Sequence, residues 1–141
     1  MANRVIVKQD GDFRTQFLAE EEDGSSKGKM EVVEHIHQLN PYSMMLSSLG
    51  SCTAIVLNTY AQYHHLALVE VEIHLQYTRD FKKDCENCEE VGNYTEEVVE
   101  EILLKGKLSD EEHLKLMHIA HACPIYKMFS EGIPIRSSRL A

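Results

Sequence analysis

Two cysteines in unlike settings are the residues of this chain best suited to chemistry. Cys52 sits within Ser48-Leu49-Gly50-Ser51-Cys52-Thr53-Ala54, inside a long apolar stretch of helical pattern, and Cys123 lies within His121-Ala122-Cys123-Pro124-Ile125, where a helix opens. A thiolate can attack an electrophile, and a second thiol within reach can then close a disulfide. One mid-helix thiol and one helix-start thiol, far apart in sequence, predict a dithiol site that only folding assembles. At a helix N-terminus, unpaired backbone N–H groups and the positive end of the helix dipole favour the thiolate of Cys123. Cys52 gains little from the dipole and needs a cation or a hydrogen-bond donor from elsewhere. The plainer alternatives are a small helix cap at Cys123 and a small apolar core residue at Cys52.

The remaining thiols form Cys85-Glu86-Asn87-Cys88. A single C-x-x-C is half a zinc site or a redox pair. No second one follows, and Glu86, Glu89 and Glu90 oppose thiolate formation by like charge. A surface turn whose thiols can oxidise to each other is the expectation, with zinc shared across a dimer as the minor alternative. Eight histidines invite a metal reading, chiefly at His113, His118 and His121 beside Cys123. A rigid third and fourth ligand is not evident, so no metal is expected. His64 and His65 would offset a helix C-terminus, and His35 and His37 would share the wet face of a strand.

The elements that must hold these groups are marked by turn and cap signals. Strand patterns cover Arg4–Lys8, Thr15–Ala19 and Lys29–His37, separated by Gly11-Asp12 and by Gly24 to Gly28. The acidic run from Glu20 to Asp23 reads as a solvated loop edge. Asn40 and Pro41 then start a helix that should reach about Tyr63. Its apolar residues wrap most of the circumference, so it should be buried on most sides, partly by a second subunit. Ser47, Ser48, Gly50 and Ser51 leave a strip fit for close approach of another helix.

From Leu68 to Tyr77 the chain alternates, with Val69, Val71, Ile73, Leu75 and Tyr77 facing inward and Glu70, Glu72, His74 and Gln76 outward. A second long strand covers Tyr94–Leu108. Ser109 and Glu112 form a capping box for a helix presenting Leu114, Met117 and His121 on one face. Cys123-Pro124 starts a last helix ended by Gly132, and Ile133-Pro134-Ile135 suits a short edge strand. The order β-β-β-α-β-β-α-α-β predicts an α+β fold, a mostly antiparallel sheet around one long central helix, in a single domain spanning 1–141.

Composition narrows the partners. The chain has 141 residues, 43% hydrophobic and 26% charged, with a formal net charge of −9. Nucleic acid and anionic membrane both reward clustered Lys and Arg, and neither is expected here. The apolar segment from Met44 to Ala61 carries Ser47, Ser48, Ser51, Thr53, Asn58 and Thr59 without a flanking basic cluster, which fits a core helix better than a membrane span. With no apolar leader in Met1 to Lys8, a cytoplasmic location is expected, where thiols stay reduced unless they work.

The run Asn40-Pro41-Tyr42-Ser43-Met44-Met45-Leu46-Ser47-Ser48-Leu49-Gly50-Ser51-Cys52-Thr53 resembles the helix motif of the OsmC/Ohr family of hydroperoxide-reducing proteins. Gly106 to Glu112, followed by Ala120-His121-Ala122-Cys123-Pro124-Ile125, is similar to that family's second motif, and Val69–Tyr77 sits where the family places a strand. The resemblance runs from about Asn40 to Ile135; before it, only the strand pattern agrees.

The resemblance implies an intertwined homodimer and a thiol-based reduction of organic hydroperoxides without a cofactor. On it, Cys52 is the peroxidatic cysteine, oxidised to a sulfenic acid, and Cys123 the resolving one. An external dithiol of lipoyl or thioredoxin type would reduce the resulting disulfide. Arg14, past the Gly11-Asp12 turn, is the candidate activating cation, with Arg4 in reserve. Met44, Met45 and Leu49 would help line an apolar substrate pocket at the dimer interface. The chain departs from the family near the helix start, where a Glu that orients the Arg is replaced by Tyr42 and Ser43. That change admits a rival reading, a ligand-binding or redox-sensing protein with little or no turnover. A structural dimer with inert thiols is the third.

Overall fold

The computed structural model describes residues 2–20, 29–81 and 94–140. Among them the chain runs β1 (Ala2–Asp10), β2 (Thr15–Glu20), β3 (Met30–Val32), α1 (Pro41–Tyr63), β4 (Leu68–Phe81), β5 (Tyr94–Gly106), α2 (Asp110–Ile119) and α3 (Pro124–Glu131). Short 3-10 turns at Ile36–Gln38 and Ala120–Ala122 precede α1 and α3. The strands form one antiparallel sheet in the order β3-β2-β1-β4-β5. The fold is α+β, as the element order predicts.

The long helix starts where the sequence says. Asn40 Oδ1 accepts the backbone N–H of Ser43 at 2.8 Å, and Pro41 occupies the first turn. α1 packs on β1 and β4, burying Leu46, Leu49, Thr53, Ala54, Leu57 and Ala61 against Val5, Val7, Val71, Ile73 and Leu75. Gly50 faces the sheet. A Cβ there would lie 2.6 Å from Val7 Cγ2 and 2.8 Å from Leu75 Cδ1. Gly50 thus permits close approach of helix to sheet, where the sequence suggested helix to helix. Asn58, also buried, donates Nδ2 to Gln9 Oε1 at 3.0 Å, and so pins the helix to β1 through a satisfied polar pair.

Several expectations change. The third strand stops at Val32, because Gln38 Oε1 accepts the N–H groups of Glu34 and His35, both at 2.8 Å, and winds the segment into a 3-10 turn. His35 and His37 therefore stack, exposed, with ring centroids 5.5 Å apart, and do not share a strand face. Val69 is 65% exposed, because an irregularity in the β4–β5 pairing between Leu68 and Glu70 shifts it out of the alternation. On α2 the buried residue is Leu116, with Leu114 74% exposed. Leu116, Ala120 and Cys123 follow the spacing of one helical face and turn the cysteine inward. Ile133-Pro134-Ile135 takes no strand pairing, and Ile135 is 86% exposed.

Candidate active site

Cys52 projects from the middle of α1, half-buried, and Cys123 is the N-cap of α3, 1% exposed. The 3-10 turn and α3 pack against α1 and bring the two thiols close enough to influence each other's ionisation. Folding thus assembles the dithiol that the sequence predicts. The Cys123 sulfur also accepts the Tyr126 backbone N–H at 3.4 Å, as an N-cap should.

The ionisation of Cys123 departs from expectation. Burial pushes its thiol up, the hydrogen bond with Cys52 pushes it the same way, and the Tyr126 and Ile125 N–H groups only partly offset this. Desolvation outweighs the helix terminus. The Cys123 thiol is therefore harder to ionise than an ordinary one.

A cleft of about 370 Å³ opens between α1, the β4–β5 hairpin and α3; Leu49 and Tyr126, each three residues from one of the cysteines, line it, and the cysteines do not. Met45 and Leu49 line it within one chain, with Val98 and Phe129. Met44 does not. It points, exposed, to a second groove of about 380 Å³ shared with Phe17, Ile36 and Leu39. The first cleft also holds Tyr77, Glu96, Glu97, Glu100 and Tyr126, which sequence reasoning did not single out. Glu100 is the informative one: Thr53, the neighbour of Cys52, donates Oγ1 to its carboxylate at 3.3 Å. Burial pushes the Glu100 carboxyl up, with Thr53 pulling the other way.

Tyr42 stands at the helix start, where a carboxylate was missing. Its ring stacks on Tyr77 at 5.1 Å and lies under the Arg79 guanidinium at 5.3 Å. An aromatic face there meets a cation that sequence reasoning passed over. The Tyr77 hydroxyl donates to Glu96 at 2.7 Å, and burial with that carboxylate pushes the phenol up to about 12.

Arg14 is elsewhere. It is 78% exposed in the β1–β2 turn, paired with Asp10 and Asp12 at 3.1 Å each. That turn meets the far end of α1, where Gln62 donates to the Gly11 carbonyl. Gln62 lies about 15 Å from Cys52 along a helix axis. Arg4 points to the face of β1 opposite its buried neighbour Val5 and pairs with Glu20. The structure brings Cys52 and Cys123 together and leaves both of those arginines apart from them within one chain. Cys85 and Cys88 fall outside the described residues. Among the described residues no helix is long and apolar enough to cross a membrane.

Comparison with known proteins agrees with this architecture. The family model described as OsmC-like protein matches residues 28–138. No curated protein matches. Among solved structures, the chain resembles an OsmC-like hydroperoxide resistance protein from Jannaschia sp. CCS1, with a TM-score of 0.67 at 13% identity, over 99% of this chain and 94% of that one. With the family match spanning most of its length, the chain belongs to the OsmC-like family.

Proposed function

We propose that the protein reduces organic hydroperoxides with Cys52 as the attacking thiolate and Cys123 as the resolving thiol. The observation that carries this is the approach of two thiols of unequal exposure, with a partly apolar cleft lined by their helical neighbours Leu49 and Tyr126. Cys52, the more accessible sulfur, attacks the terminal oxygen of the O–O bond. It becomes a sulfenic acid, and the leaving alkoxide takes a proton to give the alcohol. The Cys123 sulfur then displaces water from that sulfenic acid, forming a disulfide. An external dithiol of lipoyl or thioredoxin type restores both thiols by exchange. Sulfur carries the electrons, so no cofactor enters the scheme.

A second copy of the chain would cover the exposed stripe of α1 at Met44, Ser48, Ile55 and Thr59 and make the helix central to an intertwined dimer. In that assembly Arg14 is the activating cation, supplied across the interface. Met44 then lines the part of the pocket that the second copy closes. A site that must be re-reduced belongs in the reducing cytoplasm.

Replacement of the usual carboxylate by Tyr42, under Arg79, favours a second reading: a redox sensor or ligand-binding protein that is oxidised once and turns over slowly. Consumption of an organic hydroperoxide with a dithiol reductant separates the two. The reductase reading predicts many turnovers, none in Cys52→Ser and one in Cys123→Ser. Full turnover in Cys52→Ser would overturn the assignment.

A further inference from the structure

The two thiols sit on supports of unequal strength. α1 carries Cys52 and is locked to the sheet through Leu46, Leu49, Ala54 and Leu57, with Asn58 pinned to Gln9. The chain leading to Cys123 is held as well, by buried Leu116 and Ala120. Beyond Cys123 the hold is slight: α3 has eight residues, and none of them is buried. A helix this short is marginal in water unless packing or caps support it. The cap here is the Cys123 sulfur itself, which accepts the Tyr126 N–H at 3.4 Å. At the other end Gly132, at a φ of 77°, closes the helix with no described atom within 4 Å of where a Cβ would stand. Tyr126, Phe129 and Ser130 of this helix form one wall of the cleft.

We infer that closing the Cys52–Cys123 disulfide uncaps α3 and swings it away from α1, opening the cleft and giving the reductant its way in. The inference rests on the dithiol reading and adds a redox-driven movement to it. Unbonded sulfurs stand roughly 3.5 Å apart or more, whereas a disulfide holds them at about 2.05 Å in a fixed geometry. Closing that gap draws the Cys123 sulfur toward Cys52 and off the Tyr126 N–H. α1 does not yield, because its packing on the sheet would have to break, so the movement passes into α3. The movement serves the next step. Exchange requires a thiolate to attack a disulfide sulfur, and Cys123, 1% exposed, offers no approach while α3 stays in place.

Hydrogen exchange followed by mass spectrometry tests this on the full-length Cys85→Ser/Cys88→Ser protein, which keeps only Cys52 and Cys123. Diamide closes the disulfide without peroxide: the two thiols lose two electrons and two protons, which reduce the diazene to its hydrazine. Amides of residues 126–132 should exchange at least about five-fold faster in the disulfide form, the factor expected from losing an N-cap, while those of α1 stay slow. Reduced Cys123→Ala should show the same acceleration, and Cys123→Ser, whose hydroxyl keeps the cap, should show none. Equal exchange in the oxidised and reduced protein, or in Cys123→Ala and its parent, overturns the inference. So does acceleration spread equally over α1 and α3. A parallel sample treated with an aryl hydroperoxide separates this from failure of the reductase reading. If diamide closes the disulfide and frees α3 while the hydroperoxide leaves both thiols intact, the inference stands and the reductase reading falls. If neither oxidant joins Cys52 to Cys123, both fall.

Discussion

Gly50→Ala sets two effects against each other, and the structure decides which wins. Alanine is the better helix former, worth about 1 kcal/mol over glycine in a helix interior. The added methyl, however, would lie 2.6 Å from Val7 Cγ2, 3.1 Å from Val7 Cβ and 2.8 Å from Leu75 Cδ1. Carbon atoms settle at about 3.5–4.0 Å, so Val7 must retreat by about 1 Å. The leucine tip can rotate away. Val7 is β-branched, stiff at χ1 and fully buried in β1, so it cannot. Overpacking of this kind costs about 1–3 kcal/mol. The net expectation is a loss of about 1–2 kcal/mol, or a fall in Tm of roughly 3–8 °C at fixed protein concentration. Thermal and urea unfolding followed by circular dichroism measure it. A double-mutant cycle sharpens it: Val7→Ala alone should cost about 2 kcal/mol and clearly less in the Gly50→Ala background. A Gly50→Ala protein as stable as wild type, with additive costs at Val7, would refute the close packing of α1 on β1.

Other expectations follow from single contacts. Burial raises the Glu100 carboxyl above its ordinary 4.5, so the native state holds its proton more tightly than the unfolded chain does. Its contribution to stability is complete below that value and is lost as pH climbs through the folded-state pKa. Glu100→Gln should therefore stabilise the protein near neutral pH, with the gain vanishing at about pH 4, as read from unfolding midpoints across pH. Under native conditions Cys52 should alkylate at least roughly tenfold faster than Cys123, by mass-spectrometric timing with iodoacetamide, because Cys123 is buried and its thiol is pushed up. Asn58→Ala leaves the buried Gln9 carbonyl oxygen without the Asn58 amide and should cost about 1–3 kcal/mol in urea unfolding. Ser109→Ala removes the cap that accepts the Glu112 N–H at 3.1 Å and should cost about 1 kcal/mol by the same measurement.

Much of the scaffold was legible because its signals are local. Asn40-Pro41 and Ser109-Asp110-Glu111-Glu112 carry their capping chemistry within a few residues, and α1 and α2 begin there. β4 declares its inner face because polar and apolar residues alternate from Glu70 to Tyr77. β5 does not. Glu96-Glu97-Val98-Val99-Glu100-Glu101-Ile102-Leu103 presents the same glutamate, valine, glutamate, aliphatic order on both faces. Only pairing with β4 decides that Val98, Glu100, Ile102 and Leu104 turn toward α1, so the carboxylates of the cleft could not be read in advance. α2 posed the same difficulty. Leu114, Leu116 and Met117 offer competing faces, and docking of the turn that carries Cys123 selects Leu116.

The cysteine pair itself was legible as two motifs, whereas its ionisation was not. A helix N-terminus is visible in sequence, but the burial that outweighs it at Cys123 depends on Leu116, Ala120 and α1 arriving from elsewhere. Arg14 was chosen for its closeness to a turn, and that turn meets the end of α1 remote from Cys52. Position along a helix axis is a tertiary fact that spacing alone does not give.

The central claim is that Cys52 and Cys123 form one redox unit, and disulfide mapping after peroxide tests it most directly. Fully reduced protein is mixed with a single equivalent of an uncharged aryl hydroperoxide, without reductant, then quenched, digested and analysed by mass spectrometry. The account predicts a peptide joining Cys52 to Cys123, its absence in Cys52→Ser, and a trapped sulfenic acid at Cys52 in Cys123→Ser. Oxidation confined to Cys85 and Cys88, with Cys52 and Cys123 recovered as free thiols, would contradict it.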